Sequence, residues 1–368
     1  MSVAMKAPGR YVQGFGERKN LGKSIRKLGE KFYFIASPGG YRRNGEEMMQ
    51  IIRDAGKEVV FGEFHGETTK EEVFLHMEEL KKAGCDAVIG MGGGKVLDTA
   101  KAVAENLGGI PCVTMPTVAS NDSPCSGVAV LYNEQGVVIK ALMMRRNPDL
   151  VVVDTEIISR SPARQLSAGI GDALATWYEQ RACERNHVKT MARGTVTETV
   201  SAMCRLCNDL LLRYGKEALD GVKRGQYTEA LEKVCEAAIL LSGIGFESGG
   251  LAAAHAVNDG LAQEPQAHGA YHGEKVAFGL VTQCVLEHME EKELHALLSF
   301  MRDVDLPMTL EQLGVREIHE ETLRRAAEMA VVPTQSTRNL REGITAEEVY
   351  EAMLRADQIG RTFLGKES

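Results

Sequence analysis

The sequence predicts an α/β domain built on a parallel sheet over residues 1–160, followed by an all-helical domain over residues 161–368. Three observations predict it. Short apolar β-type runs alternate with helical stretches through the first half, the order of a parallel sheet with helices on both faces. One such run, Ala87-Val88-Ile89, leads into Gly90-Met91-Gly92-Gly93-Gly94-Lys95 and then into a helical pattern. Beyond Ser159-Arg160-Ser161-Pro162 the period-2 segments all but vanish, and Ala-, Leu-, Met- and Glu-rich helical patterns run onward.

The elements of the first half follow in order. Residues 31–36 read as a strand that ends at the turn Ser37-Pro38-Gly39-Gly40. Residues 45–55 read as a helix and 58–61 as a strand. Residues 70–83 read as an amphipathic helix with Val73, Met77 and Leu80 in register. The central run and its glycines come next. Three consecutive glycines leave no Cβ in the way of a ligand and open φ/ψ values closed to other residues. The helix after them, running to about Leu107, carries Val96, Ala100 and Val103 on one face. Residues 111–115 make another strand. Residues 127–131 and 137–142 flank Asn133-Glu134-Gln135-Gly136 as a β-hairpin, and 150–154 form the last strand.

Composition narrows the function. Hydrophobic residues make up 44% and charged residues 26% of 368, the mix of a globular enzyme. A net charge of -8 with no basic patch argues against a nucleic-acid partner. No apolar run approaches the roughly 20 residues that span a bilayer, and the N-terminus lacks the pattern of a signal peptide. The eight cysteines lie mostly inside apolar patterns, as free thiols of a reducing cytoplasm do. Cys204-Arg205-Leu206-Cys207 has CxxC spacing but no second pair nearby, so it reads as two cysteines on a buried helix face.

Two places carry chemistry. A strand, a bare glycine turn and a helix N-terminus together suit a pyrophosphate, because amides and the helix dipole point at the ligand. The same residues also serve a tight strand-to-helix turn with no ligand, and the spacing is neither G-x-G-x-x-G nor a Walker loop. In the second half, Asp172 lies in Gly169-Ile170-Gly171-Asp172-Ala173-Leu174 and His255 in Gly249-Gly250-Leu251-Ala252-Ala253-Ala254-His255, both among small and apolar neighbours. His268 and His272 follow in Ala267-His268-Gly269-Ala270-Tyr271-His272-Gly273-Glu274-Lys275. An unpaired buried carboxylate is costly, so a cation or a hydrogen-bond network is expected. An aspartate with two histidines and one open position is a catalytic zinc pattern. Asp172 as a helix cap and His255 as a hydrogen-bonded core histidine remain the alternatives.

Several blocks in the right order resemble the glycerol dehydrogenases of the iron-containing alcohol dehydrogenase superfamily. They are the glycine motif, Pro116-Thr117-Val118-Ala119-Ser120-Asn121-Asp122-Ser123-Pro124-Cys125-Ser126, the blocks at 169–177 and 245–257, and His272-Gly273-Glu274-Lys275-Val276-Ala277-Phe278-Gly279. The resemblance runs over about residues 8–365. It implies a dehydroquinate synthase-like fold, in which a dinucleotide-binding α/β domain precedes an all-helical domain with the site between them. It implies Asp172, His255 and His272 as zinc ligands, and Thr176, where iron enzymes usually carry a histidine, favours the zinc branch. It implies Gly93, Gly94, Lys95 and Asp98 in the pyrophosphate loop of NAD, and Thr117, Ser120, Ser126, Val128 and Tyr132 as contacts on the nicotinamide side. Asp122 matches a residue facing the substrate hydroxyls, and His268 is a neighbouring candidate. The expected reaction is zinc-assisted oxidation of glycerol or another vicinal diol by NAD, in a cytoplasmic homo-oligomer, often an octamer in the family.

Three places depart from the family pattern. Ser37 stands where an aspartate commonly binds the adenosine ribose, which leaves the choice between NAD and NADP open. Residues 332–340 lack the usual acidic, His-containing segment. Arg145-Arg146 read as a solvated loop. The alternatives are a sister dehydrogenase for a 2-hydroxy acid, amino alcohol or longer polyol, a dehydroquinate synthase-type lyase, and a metabolite-binding protein without activity. Asp172 in place of a glutamate argues against the lyase, and the complete ligand set against the inactive protein.

Overall fold

The computed structural model describes residues 2–133 and 138–365. Its centre is a six-stranded, all-parallel sheet in the order β1-β8-β5-β4-β2-β3. The strands are β1 (Tyr11–Gly14), β2 (Lys31–Ala36), β3 (Glu58–Glu63), β4 (Ala87–Gly92), β5 (Cys112–Pro116) and β8 (Leu150–Asp154). A separate antiparallel hairpin joins β6 (Val128–Tyr132) and β7 (Val138–Met143). Part of the turn expected at 133–136 lies outside the described residues. The four-residue β1 at the sheet edge is an addition to the sequence reading. Its residues are all half-buried, so they give no alternating apolar signal.

Side-chain alternation sorts the layers. Phe32 and Phe34 of β2, Ile89 and Met91 of β4 and Val113 of β5 pack on Met48, Met49 and Ile52 of α1 (Glu46–Asp54). On the opposite face Tyr33, Ile35 and Val88 meet Val73 and Leu80 of α2 (Lys70–Ala83) and Val96, Ala100 and Val103 of α3 (Gly94–Asn106). Residues 70–83 form a helix as read from the sequence, with Thr69 accepting from Glu72 N at its start and Gly84 in the left-handed region at its end. Chain order reverses around β2 and β4, because β3 lies on one side of β2 and β4 on the other. Ligands of open parallel sheets bind outside the strand C-termini at such a reversal.

After Asp154 no further strand occurs among the described residues. The helices that matter for the site are α4 (Ala163–Arg185), α5 (Glu198–Lys223), α6 (Ala253–Leu261) and α7 (His272–Leu286). One apolar cluster runs from Val151 and Val153 of β8 through Ile170, Leu174 and Tyr178 of α4 to Phe278 and Val281 of α7. Among the described residues no single helix is long and apolar enough to cross a membrane, and the one bent pair that passes on length and composition is broken by 100°. The eight cysteines are free thiols, and Cys204 and Cys207 are both buried on α5. Burial pushes the Cys204 thiol up to about 12, which keeps it protonated and apolar.

Glycines set how closely the helices approach. A Cβ on Gly169 would lie 1.9 Å from the Ala119 carbonyl oxygen, and a Cβ on Gly273 would lie 1.9 Å from that of Ala168. The first contact presses α4 onto the loop after β5, and the second presses α7 onto α4. Both partners are backbone, so neither side can yield cheaply. Gly273→Ala is therefore expected to destabilise the fold by about 3 kcal/mol through overpacking, read as a lowered midpoint in thermal denaturation. An unchanged midpoint would show that the two helices can separate without cost.

Candidate metal and dinucleotide site

The α4–α7 contact brings two functional side chains together. Asp172 lies in the middle of α4, so it is not a helix cap, and it is fully buried. His272 begins α7, next to Gly273. The third residue, His255, sits in the first turn of α6, whose start is held from outside. Gln283 of α7 accepts from Ala253 N and Ala254 N at 3.0 and 3.1 Å. Glu179, two turns after Asp172 on α4, accepts from Ala252 N and His255 N at 2.8 and 3.0 Å. Residues 332–340 support the same place, with Ser336 Oγ donating to Ala252 O at 2.5 Å and Asn339 Nδ2 to Leu251 O at 2.9 Å.

The geometry fits a cation. One ligand atom from each of Asp172, His255 and His272 lies within 4.8 Å of the others. His255 Nε2 and His272 Nε2 are 3.3 and 3.2 Å from Asp172 Oδ1. Asp172 Oδ1 is nevertheless buried without a hydrogen bond, so the nitrogens converge on it without being aimed as donors. The other carboxylate oxygen, Oδ2, accepts from Asp122 N at 3.2 Å. Glu179 Oε2 takes the Nδ1–H of His255 at 2.6 Å, which leaves Nε2 free to ligate. Burial opposes charge on His255, but Glu179 and Asp172 outweigh it and hold the imidazole pKa well above its usual value. Burial would raise the Asp172 carboxyl, yet His272 and His255 hold it below the carboxylate range. A cation placed among these groups takes over the proton's part.

Two sequence-identified neighbours stand differently. His268 lies on the exposed turn Pro265–Gly269, 3.2 Å from the Ala262 carbonyl through Nε2, and is not a member of the three-ligand group. Asp122 is adjacent to the group but buried, and its Oδ2 accepts from Ser242 Oγ at 3.0 Å. Burial, and then the charge of Asp172, raise the Asp122 carboxyl well above the carboxylate range. Thr176 is bonded to Ser242 Oγ at 2.9 Å, so a Thr–Ser–Asp chain occupies that side of the site.

The glycine turn ends β4 as expected, but for a different conformational reason. Gly92, Gly93 and Gly94 all have ordinary φ, and none is in the left-handed region. What matters is space. A Cβ on Gly92 would lie 2.7 Å from Val96 Cγ2, and one on Gly94 would lie 2.6 Å from Asn121 Nδ2. A Cβ on Gly93 would meet only Val118 Cγ2 at 3.8 Å, so that position faces open room. Gly93 caps α3 without a side-chain hydrogen bond, and the first amides of a 13-residue helix stay available to an anion.

The residues around the turn divide into two sets. Lys95 is exposed, 2.5 Å from Glu67 Oε2 and over the Tyr132 ring. Thr117 and Ser120 are half-buried on the loop after β5. Val128 is buried at the start of β6. Asp98 and Ser126, by contrast, turn inward. Asp98 accepts from Ser123 Oγ at 3.1 Å and Val130 N at 3.0 Å, and pairs with the fully buried Lys101 at 2.8 Å. Ser126 Oγ lies 3.3 Å from Ser123 O and 3.4 Å from Lys101 Nζ. The resemblance implies both as cofactor contacts; in the structure their side chains also pin the Ser123–Ser126 loop to α3 and the hairpin. Lys101 and Glu179 are buried charged residues beside these sites that the sequence reading did not single out. A lysine and a glutamate inside polar-looking helical stretches read as solvated until the packing buries them.

The chain is similar over its full length to known proteins. The signature of the iron-containing alcohol dehydrogenases matches residues 8–155. A glycerol dehydrogenase of Pseudomonas putida is 43% identical over 364 residues, covering 99% of this chain and 100% of its own length. One from an Escherichia coli strain is 42% identical over 99% of both chains. The crystal structure of a probable glycerol dehydrogenase from Sinorhizobium meliloti superposes with a TM-score of 0.93 at 37% identity, covering 98% of this chain and 100% of the other. Identity of this order over the full length, with the parallel sheet and the Asp172–His255–His272 group in place, means that the chain belongs to the iron-containing alcohol dehydrogenase family.

Proposed function

We propose that the chain oxidises glycerol, or a closely related vicinal diol, to the hydroxyketone with NAD as hydride acceptor and zinc as the bound ion. The observation that carries this reading is the convergence of Asp172, His255 and His272 beside the loop that follows β5. One carboxylate and two imidazoles suit zinc, and three protein ligands leave a position for substrate. The full-length likeness to glycerol dehydrogenases supports the choice of substrate. When bound, zinc supplies Lewis-acid polarisation of the reacting hydroxyl, and the nicotinamide accepts the hydride.

This chain's own residues do the rest. Glu179 fixes the ring of His255 and the tautomer it presents. Asp172 carries the negative charge that binds the ion and holds the Asp122 backbone, which ties the helical half to the β5 loop. Asp122, adjacent to the metal group, would hydrogen-bond a second hydroxyl on the neighbouring carbon. That contact would select a diol over a simple alcohol. The first turn of α3 offers backbone amides to the pyrophosphate, with Lys95 alongside.

The test is NADH formation from glycerol and 1,2-propanediol by the purified protein, before and after chelation and again after zinc is returned. Activity is expected with both diols, lost on chelation and restored by zinc. Turnover that survives full chelation would overturn the metal reading, and no turnover with any diol would overturn the substrate.

A further inference from the structure

The adenosine end of the dinucleotide site can be located from the sheet order. The loop after β5 touches the metal group through Asp122 N and Asp172 Oδ2. Hydride passes between the substrate and the nicotinamide, so the nicotinamide half lies over the end of β5. The adenosine half then extends to the other neighbour of β4, which is β2. Adjacent strands are about 5 Å apart, so the ribose falls over the residues that end β2. Dinucleotide sites that choose NAD place a carboxylate there to grip the 2′-hydroxyl, and that carboxylate repels a 2′-phosphate.

No carboxylate ends this strand. β2 closes with Ala36 and continues into Ser37, whose Oγ accepts from Gly40 N at 3.2 Å and so caps the turn. Gly40 lies against the end of β4, where a Cβ would be 3.9 Å from Met91 O. Arg43 folds back over the same turn, its Nη1 3.3 Å from the position of a Cβ on Gly39. Arg42 and Arg43 are both exposed, and neither has an ion pair among the described residues. An acidic group on this edge, Glu63, ends β3 as the register partner of Ala36, one strand further out. Arg43 lies on the turn itself. Arginine is suited to a phosphate because its planar fork donates two hydrogen bonds at once.

We infer that the end of β2 accepts a 2′-phosphate, with Arg43 as its partner and Ser37 leaving it room, so that the chain binds NADP as well as NAD. This rests on the dinucleotide reading above. The test is calorimetric titration of the purified, zinc-loaded full chain with NADP and with NAD, without substrate. The two dissociation constants are expected to lie within about tenfold of each other, since one charge-assisted hydrogen bond is worth about that factor. Arg43→Ala should raise the ratio Kd(NADP)/Kd(NAD) about tenfold. Ser37→Asp, which keeps a capping oxygen and so keeps the turn, should raise it further. Tight NAD binding with NADP more than about a hundredfold weaker would overturn this inference and leave the dehydrogenase reading standing, as would an Arg43→Ala ratio equal to that of the parent. Binding of neither dinucleotide would overturn both.

Discussion

Asp172→Asn is expected to abolish turnover while the protein still folds and still binds its dinucleotide. The substitution keeps the size of a fully buried side chain and an oxygen that can accept from Asp122 N. What it removes is the one negative charge among the three converging ligand atoms. Lewis-acid catalysis is worth several kcal/mol, so the loss of the ion should lower kcat by a factor on the order of 10³ or more. The glycine turn after β4 is untouched, and titration with NAD should give a dissociation constant close to that of the parent. His255→Ala should behave in the same way. Turnover within tenfold of the parent, in a variant shown to hold no metal, would remove the ion from the reaction.

The second large effect is expected from a residue that touches neither ion nor substrate. Glu179 is fully buried and makes three contacts with the start of α6, two to backbone amides and one to His255 Nδ1. A carboxylate at this place fixes the ring and makes the other nitrogen a stronger ligand. Glu179→Gln should weaken zinc binding about 10- to 100-fold, the usual weight of such a partner. Titration against a competing chelator measures this directly, independently of activity. Unchanged affinity would mean that packing alone orients His255.

How much of this was legible in the residues depends on the range of the interactions. The strands at 31–36 and 150–154 and the helix at 70–83 were readable because a short continuous apolar run or a 3.6-residue period marks them. Tyr11–Gly14 was not, because its place at the sheet edge is fixed by Val151–Asp154, some 140 residues away. Asp172 and His255 stood out as polar residues in apolar stretches, and their meeting in space follows from two glycines in the same stretches. Gly169 and Gly273 are visible in the sequence, but the carbonyl groups they admit are not.

The remaining differences have the same origin. The alternative in which Asp172 caps a helix does not hold, because the chain becomes helical at Ala163, directly after Pro162, and buries Asp172 mid-helix. Asp98 and Ser126 were named as ligand contacts by the family resemblance. Their side chains also bond the buried Lys101 and the turn at Ser123. A buried lysine must find partners, and it takes the nearest oxygens. Arg145 and Arg146 were readable as a solvated loop, and they form exposed pairs with Glu105 and Asp149.

The account stands on one ion shared by Asp172, His255 and His272. X-ray diffraction from zinc-loaded crystals, with data on both sides of the zinc absorption edge, tests it directly. The prediction is a single strong anomalous peak, with Asp172 Oδ1, His255 Nε2 and His272 Nε2 each about 2.0–2.2 Å away. A peak at other side chains, or none in crystals that contain zinc by fluorescence, would contradict it.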